Sequence, residues 1–312
     1  QRSPLYLLTI SVMKSYGAML PQHNAHKVRH EHQPRRSMNL VGICMALLVP
    51  WLLFTVMLFL MSFKMHYQHP GCCHALIWIT FIFILGIGYM ALSAWRKERL
   101  GRGDATWYIF LFATTLIAWT AACCMGQANF KKNMVPFYDV QNLNVYTSVD
   151  PAAYRGQQLM DAGRLIFTRD SKLDLRRSMG FRSDQTYCVA PVVSGNESLT
   201  TYDFWAVGTN CCSGHAADFH CREFNNPQAV SGLRVIREDQ LPYFHLAVQQ
   251  AEAAYNIKAR NPIFLYWMQD PLAEVNALQD VAFTHYLFSV FCFFSYQFFI
   301  VVMAMLLYSK RD

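Results

Sequence analysis

The chain has 312 residues, 54% of them hydrophobic, 15% aromatic and only 15% charged, whereas ordinary soluble domains carry roughly 25% charged side chains. The formal charge of +7 separates by segment: residues 1–38 carry six Lys/Arg against Glu31, 95–104 carry four against Glu98 and Asp104, and 126–280 carry 14 basic against 16 acidic side chains. Positive charge in short pieces beside apolar runs argues against both a nucleic-acid-binding face and an ordinary soluble globule.

Residues 1–38 read as a basic, His-rich solvated tail. The uncharged run 39–63 is long enough to cross about 30 Å of hydrocarbon as a helix, and 72–95 and 106–126 read the same way. Residues 127–280 are too long for a connector and have the composition of a folded domain. A fourth apolar run, 281–308, follows, and 309–312 form a short tail. No Asp, Glu, Lys or Arg interrupts the four runs. That disfavours a proton-coupled transporter or a charged filter. Pore linings from Thr80, Ser93, Thr114, Thr115 and Thr120, or a pigment or cofactor subunit using His66, His69, His74 or His285, remain alternatives, and no cofactor is predicted. The excess of Lys/Arg in the tails and in the 96–104 loop places both termini on the cytoplasmic-equivalent face and 127–280 on the exoplasmic face.

Within 127–280, the segments 163–170, 185–193 and 200–208 are β-branched or aromatic runs bounded by Gly, Ser, Asn and Asp, and they predict strands. Residues 238–259 repeat apolar side chains at helical spacing through Leu241, Phe244, Ala247, Val248, Ala251 and Tyr255, with Asp239 as the expected N-cap. "NPIFLYWMQDP" (261–271) reads as an aromatic break. Asp270–Pro271 then signals a second helix that runs on into the last span. The expected fold is a four-transmembrane-helix bundle with a disulfide-stabilised α+β exoplasmic domain between helices 3 and 4.

Cys188, Cys211, Cys212 and Cys221 are expected to form two disulfides in an oxidising space, Cys188 joining one of Cys211/Cys212 and Cys221 the other. A metal site of Cys212, His215, His220 and Cys221 is the alternative, set lower because adjacent cysteines ligate one ion poorly on an extended chain. The pairs Cys72–Cys73 and Cys123–Cys124 flank spans at one membrane edge, where an interhelical bridge and plain packing are equally open. Asn196-Glu197-Ser198 is a glycosylation sequon. Ser213, His215, Asp218 and His220 crowd one loop, and no motif with a catalytic mechanism occurs, so the chain reads as non-catalytic.

The four spans and "NCCSG" in the large loop resemble the plan of tetraspanins, although a Ser separates Cys212 from Gly214. "YCVAPVV…YDFWAVGTNCC…FHC…FNNPQA", followed by "YWMQDP", resembles a multi-span family of protist algae over most of 160–308, and that resemblance implies no activity. The expected role is an accessory or scaffold subunit in a plasma membrane or endomembrane, with a thylakoid or mitochondrial inner membrane as alternatives. Its expected partners are the bilayer and other membrane proteins or further copies of the chain, and not nucleic acid.

Overall fold

The computed structural model describes residues 40–99, 106–195, 199–214 and 217–309. The 1–38 tail and Asn196 therefore fall outside the described residues.

Four helical stretches are long and apolar enough to cross a membrane: Val41–Ser62, Pro70–Lys97, Thr106–Gln141 and Pro271–Leu307. The first belongs to α1 (Leu40–Ser62). After a short helix α2 (Lys64–Gln68) comes α3 (Pro70–Arg99), whose basic end holds the Arg99 guanidinium 4.2 Å over the Trp95 ring. α4 (Thr106–Asn129) does not stop at residue 126, as the sequence led us to expect. It passes through a π-helical turn (Phe130–Met134) into α5 (Val135–Gln141). Lys131 and Lys132 make that turn look like a loop, but Phe130, Asn133 and Met134 on its other side are buried. The last helix, α7 (Pro271–Ser309), starts ten residues before the predicted span. Asp270 caps it, its carboxylate accepting from the N–H groups of Leu272 and Ala273 at 2.9 and 3.1 Å.

α1 and α7 meet along an aromatic seam in which Phe54 stacks on Phe293 at 4.1 Å and Trp51 meets Phe294 edge-on at 5.4 Å. α1 meets α4 where Gly126 has no side chain, since a Cβ there would stand 2.5 Å from that of Met61.

Between α5 and α7 lies an eight-stranded sheet in the order β1-β2-β7-β8-β6-β5-β3, with β4 also on β5. Its strands are β1 (Asn144–Val149), β2 (Ala162–Phe167), β3 (Ser171–Leu173), β4 (Met179–Arg182), β5 (Thr186–Ser194), β6 (Phe204–Thr209), β7 (Ser231–Arg234) and β8 (Ile263–Met268). The pairs β1–β2 and β6–β8 are parallel and the others antiparallel. α6 (Leu241–Tyr255) covers one face through Phe244, Ala247, Val248 and Ala251, which pack with Tyr187, Val189, Trp205, Val207 and Phe264. Asn256, in the left-handed region at φ 51°, ends it. Its N-cap is Gln240, not Asp239, because the Asp239 carboxylate is taken by the Arg237 guanidinium at 2.9 Å.

The opposite face holds Cys188, Ala190, Val192, Phe204, Ala206, Ile263, Leu265 and Trp267 under the irregular chain after β6. Central strands thus bury both faces, and their apolar runs are continuous rather than alternating. The segment "FLYWM", read as the break after the helix, is strand β8, and Phe264, Leu265, Trp267 and Met268 are buried in the core. A third core joins the sheet to the apolar helices, with Leu233 and Met268 against Met134, Phe137, Val275 and Ala282. Beside it the Asn129 amide donates to the Ala282 carbonyl at 3.1 Å and Asn133 donates to Asn129 at 2.8 Å.

Candidate functional site

The cysteine loop leaves β6 at Asn210, whose φ of 58° turns the chain sharply back over the sheet. Asn210 fixes that turn to the start of β5: its N–H donates to the Thr186 carbonyl at 2.7 Å, and its side-chain oxygen accepts from the Thr186 N–H at 3.0 Å. Two disulfides follow, Cys188–Cys212 with Cα atoms 5.9 Å apart and Cys211–Cys221 at 5.1 Å. The sharp turn lets both adjacent cysteines reach the sheet, which an extended chain would not. Cys188 and Cys221 are buried, and Cys211 and Cys212 are half-buried.

The two bridges lie side by side. The sulfurs of Cys188, Cys211 and Cys221 lie within 4.8 Å of one another. Glycine makes the space: a Cβ on Gly208 would stand 2.6 and 2.7 Å from the sulfurs of Cys211 and Cys221, and one on Gly180 would stand 2.7 Å from that of Cys212. Beyond the bridges, Phe219, Cys221 and Ala229 fill the loop-side core, and Arg222 sits 4.8 Å over the Tyr266 ring while pairing with Glu274 of α7 at 3.0 Å. A cavity of about 160 Å³ beside this loop is lined by Ser171, Lys172, Phe224, Asn226 and Trp267 among others.

No protein-family model, curated protein or solved structure matches this chain. What the site can do has to be read from its own geometry.

Of the four residues in the alternative metal set, Cys212 and Cys221 have their sulfurs in separate bridges, and His215 is outside the described residues. His220 turns its Nδ1 to the Asp218 carbonyl at 2.8 Å. The loop carboxylate is occupied too: both oxygens of Asp218 accept from the Ser213 N–H at 3.0 Å, and that bond holds its carboxyl below the usual carboxylate range. The described residues therefore do not place a carboxylate on the His220 ring, as a nucleophile–base–orienter set would require.

Cys72, Cys73, Cys123 and Cys124 are thiols here, so the bridge between the two helices is not formed. Cys73 is buried with its sulfur 3.6 Å from the Leu60 carbonyl and 4.0 Å from the Met61 thioether, while Cys72 and Cys124 are exposed. Cys44 and Cys292 are thiols as well. With ten cysteines in the chain and four in bridges, the unreduced, denatured protein should take six alkylating groups. After reduction it should take ten, and mass spectrometry counts both.

The hydroxyls of Thr80, Ser93, Thr114, Thr115 and Thr120 all donate to carbonyls of their own helix three or four residues back. Among the histidines, His66 is buried, stacked at 4.1 Å on Phe130, with Nδ1 2.9 Å from the Met61 carbonyl, and His74 is edge-on to it at 6.1 Å. His285 lies on the exposed surface of α7 and His69 caps α2, and among the described residues the four histidines form no group with metal-ligand spacing.

Sequence reasoning missed two polar anchors. Asp203 is 2% exposed at the start of β6, and Gln297 is completely buried in α7 with its amide nitrogen 2.7 Å from the Ala46 carbonyl of α1. A signal for the second was available, because Gln297 is the sole side-chain amide in 281–308.

Proposed function

We propose that this chain is a four-span membrane protein acting as a non-catalytic accessory or scaffold subunit, with both termini on the cytoplasmic-equivalent face. It presents its disulfide-closed α+β domain on the exoplasmic side to other membrane proteins. One observation carries the reading. α7 begins in contact with the sheet, through Val275 and Ala282 in the core shared with Leu233 and Met268, and continues as a single helix of 39 residues. A domain coupled in this way cannot swivel on the bundle, so its surface stands at a fixed height and orientation, as a docking platform requires. Further support comes from Lys/Arg at the apolar helix ends on one side and from two bridges closing the loop.

Two measurements test it. Accessibility labelling of cysteines introduced at exposed Thr147 and at the C-terminal Asp312 should place these positions on opposite sides of the membrane. Cross-linking in native membranes followed by mild-detergent purification should recover an assembly in which contacts map to 144–268. A solitary monomer under both conditions defeats the scaffold reading.

A further inference from the structure

We propose that Cys188, Cys211, Cys212 and Cys221 form a two-state site: two disulfides when oxidised, and a four-thiolate site for Zn2+ when reduced. The inference rests on the convergence of sulfurs and holds whichever side of the membrane the loop faces. A tetrahedral zinc–thiolate site has Zn–S bonds of about 2.3 Å, which sets its sulfurs about 3.8 Å apart. Three of the four sulfurs already lie within 4.8 Å of one another and the fourth, that of Cys212, is bonded to Cys188. The reduced site is therefore reached by side-chain rotation rather than by refolding.

The objection to adjacent ligands does not apply to this geometry. The turn at Asn210, with φ of 58°, brings Cys211 to Gly208 and Cys212 to Gly180, so both sulfurs face the same sheet surface. The missing side chains of those glycines leave the sulfurs room there. Cys188 is fully buried and Cys221 nearly so, and buried thiolates need a counter-charge. A divalent cation offsets half of the charge of four thiolates, and thiolate sulfur selects zinc over the hard cations.

The chemistry balances with a dithiol as reductant. Each of two dithiols gives two electrons and two protons to one disulfide and leaves as its own cyclic disulfide. Zn2+ then binds the four thiols, whose protons pass to solvent. The consequence for the fold is that the loop stays closed over the core residues Phe219 and Ala229 in either redox state.

The test uses the full chain in detergent, reduced with a phosphine, because a dithiol would compete for the metal. Excess phosphine is removed, and Zn2+ alone is added before alkylation and peptide mapping. Protection of Cys188, Cys211, Cys212 and Cys221, its loss on chelation, and one zinc per chain at that site are expected. Replacement by Co2+ should give the visible spectrum of a tetrahedral thiolate complex. C188S should weaken binding by more than the about 10–100-fold typical of changes just outside a metal's ligands. Protection of fewer than all four overturns the four-thiolate site, whether the reduced chain stays folded or not. If reduction unfolds the domain, recovery of the oxidised circular dichroism on adding Zn2+ supports it, and failure to recover overturns it.

Discussion

Replacing Asp203 by alanine should cost the sheet domain about 2–4 kcal/mol, the expected range for removing a buried carboxylate that several backbone donors rely on. One oxygen accepts from the Gly156 N–H at 3.0 Å. The other accepts from the N–H groups of Arg260 and Asn261 at 3.0 and 3.4 Å. The Asp203 carbonyl takes the Ile263 N–H at 2.7 Å. One residue thus ties the turn after β1 and the entry to β8 to the start of β6. Gly156 has to be glycine, because a side chain there would collide with the Asn261 carbonyl. Asp203→Asn keeps one accepting oxygen but turns an NH2 towards a backbone donor, so it should cost less than alanine and more than zero, about 1–2 kcal/mol. Denaturant unfolding of the full chain in detergent, with Trp51, Trp78, Trp95, Trp107 and Trp119 replaced by phenylalanine so that Trp205 and Trp267 fluorescence reports the sheet, measures the series. Equal stability of wild type and Asp203→Ala would show that water replaces the carboxylate.

The apolar helices were legible because hydrocarbon imposes one simple demand, some 20 residues without charge. Their ends were not. The π turn at 130–134 and the first turns of α7 carry charged residues, and their apolar side is buried against the sheet and against His66. Asn129 and Ala282 lie 153 positions apart, and their hydrogen bond illustrates the kind of contact no local pattern shows. In the sheet, β2, β5 and β6 had clear turn residues around them. β8 lacked alternation because both its faces are buried, and β1, β3, β4 and β7 are short or edge pieces whose pairing depends on distant neighbours. α6 was legible because Phe244, Ala247, Val248 and Ala251 repeat at helical spacing on one buried face. The cysteine pairing was narrowed in advance to two choices, since adjacent residues serve separate partners more easily than each other. Which of Cys211 and Cys212 meets Cys188 depends on the Asn210 turn, a backbone feature that composition does not encode.

Gln297→Leu should destabilise the association of α1 with α7 by about 0.6 kcal/mol and at most about 1.7 kcal/mol, the average and the maximum for hydrogen bonds between helices in membranes. The cause is Pro50. Lacking an N–H, it cannot bond the carbonyl four residues before it, which leaves the Ala46 oxygen open in the middle of an apolar helix. Gln297 fills that gap across the helix pair at 2.7 Å. Its other amide atom, Oε1, is buried with no partner among the described residues, so the residue carries a cost of its own. Pro50→Ala restores the donor inside α1. In that background the glutamine amide has lost its purpose and keeps its orphaned oxygen, so Gln297→Leu should become neutral or stabilising. A double-mutant cycle in lipid, read by reversible unfolding, isolates this coupling from the ordinary effect of each substitution. If Gln297→Leu costs the same with Pro50 and with Ala at that position, the proline and the glutamine are independent, and the bond seen between α1 and α7 is not what holds them in register.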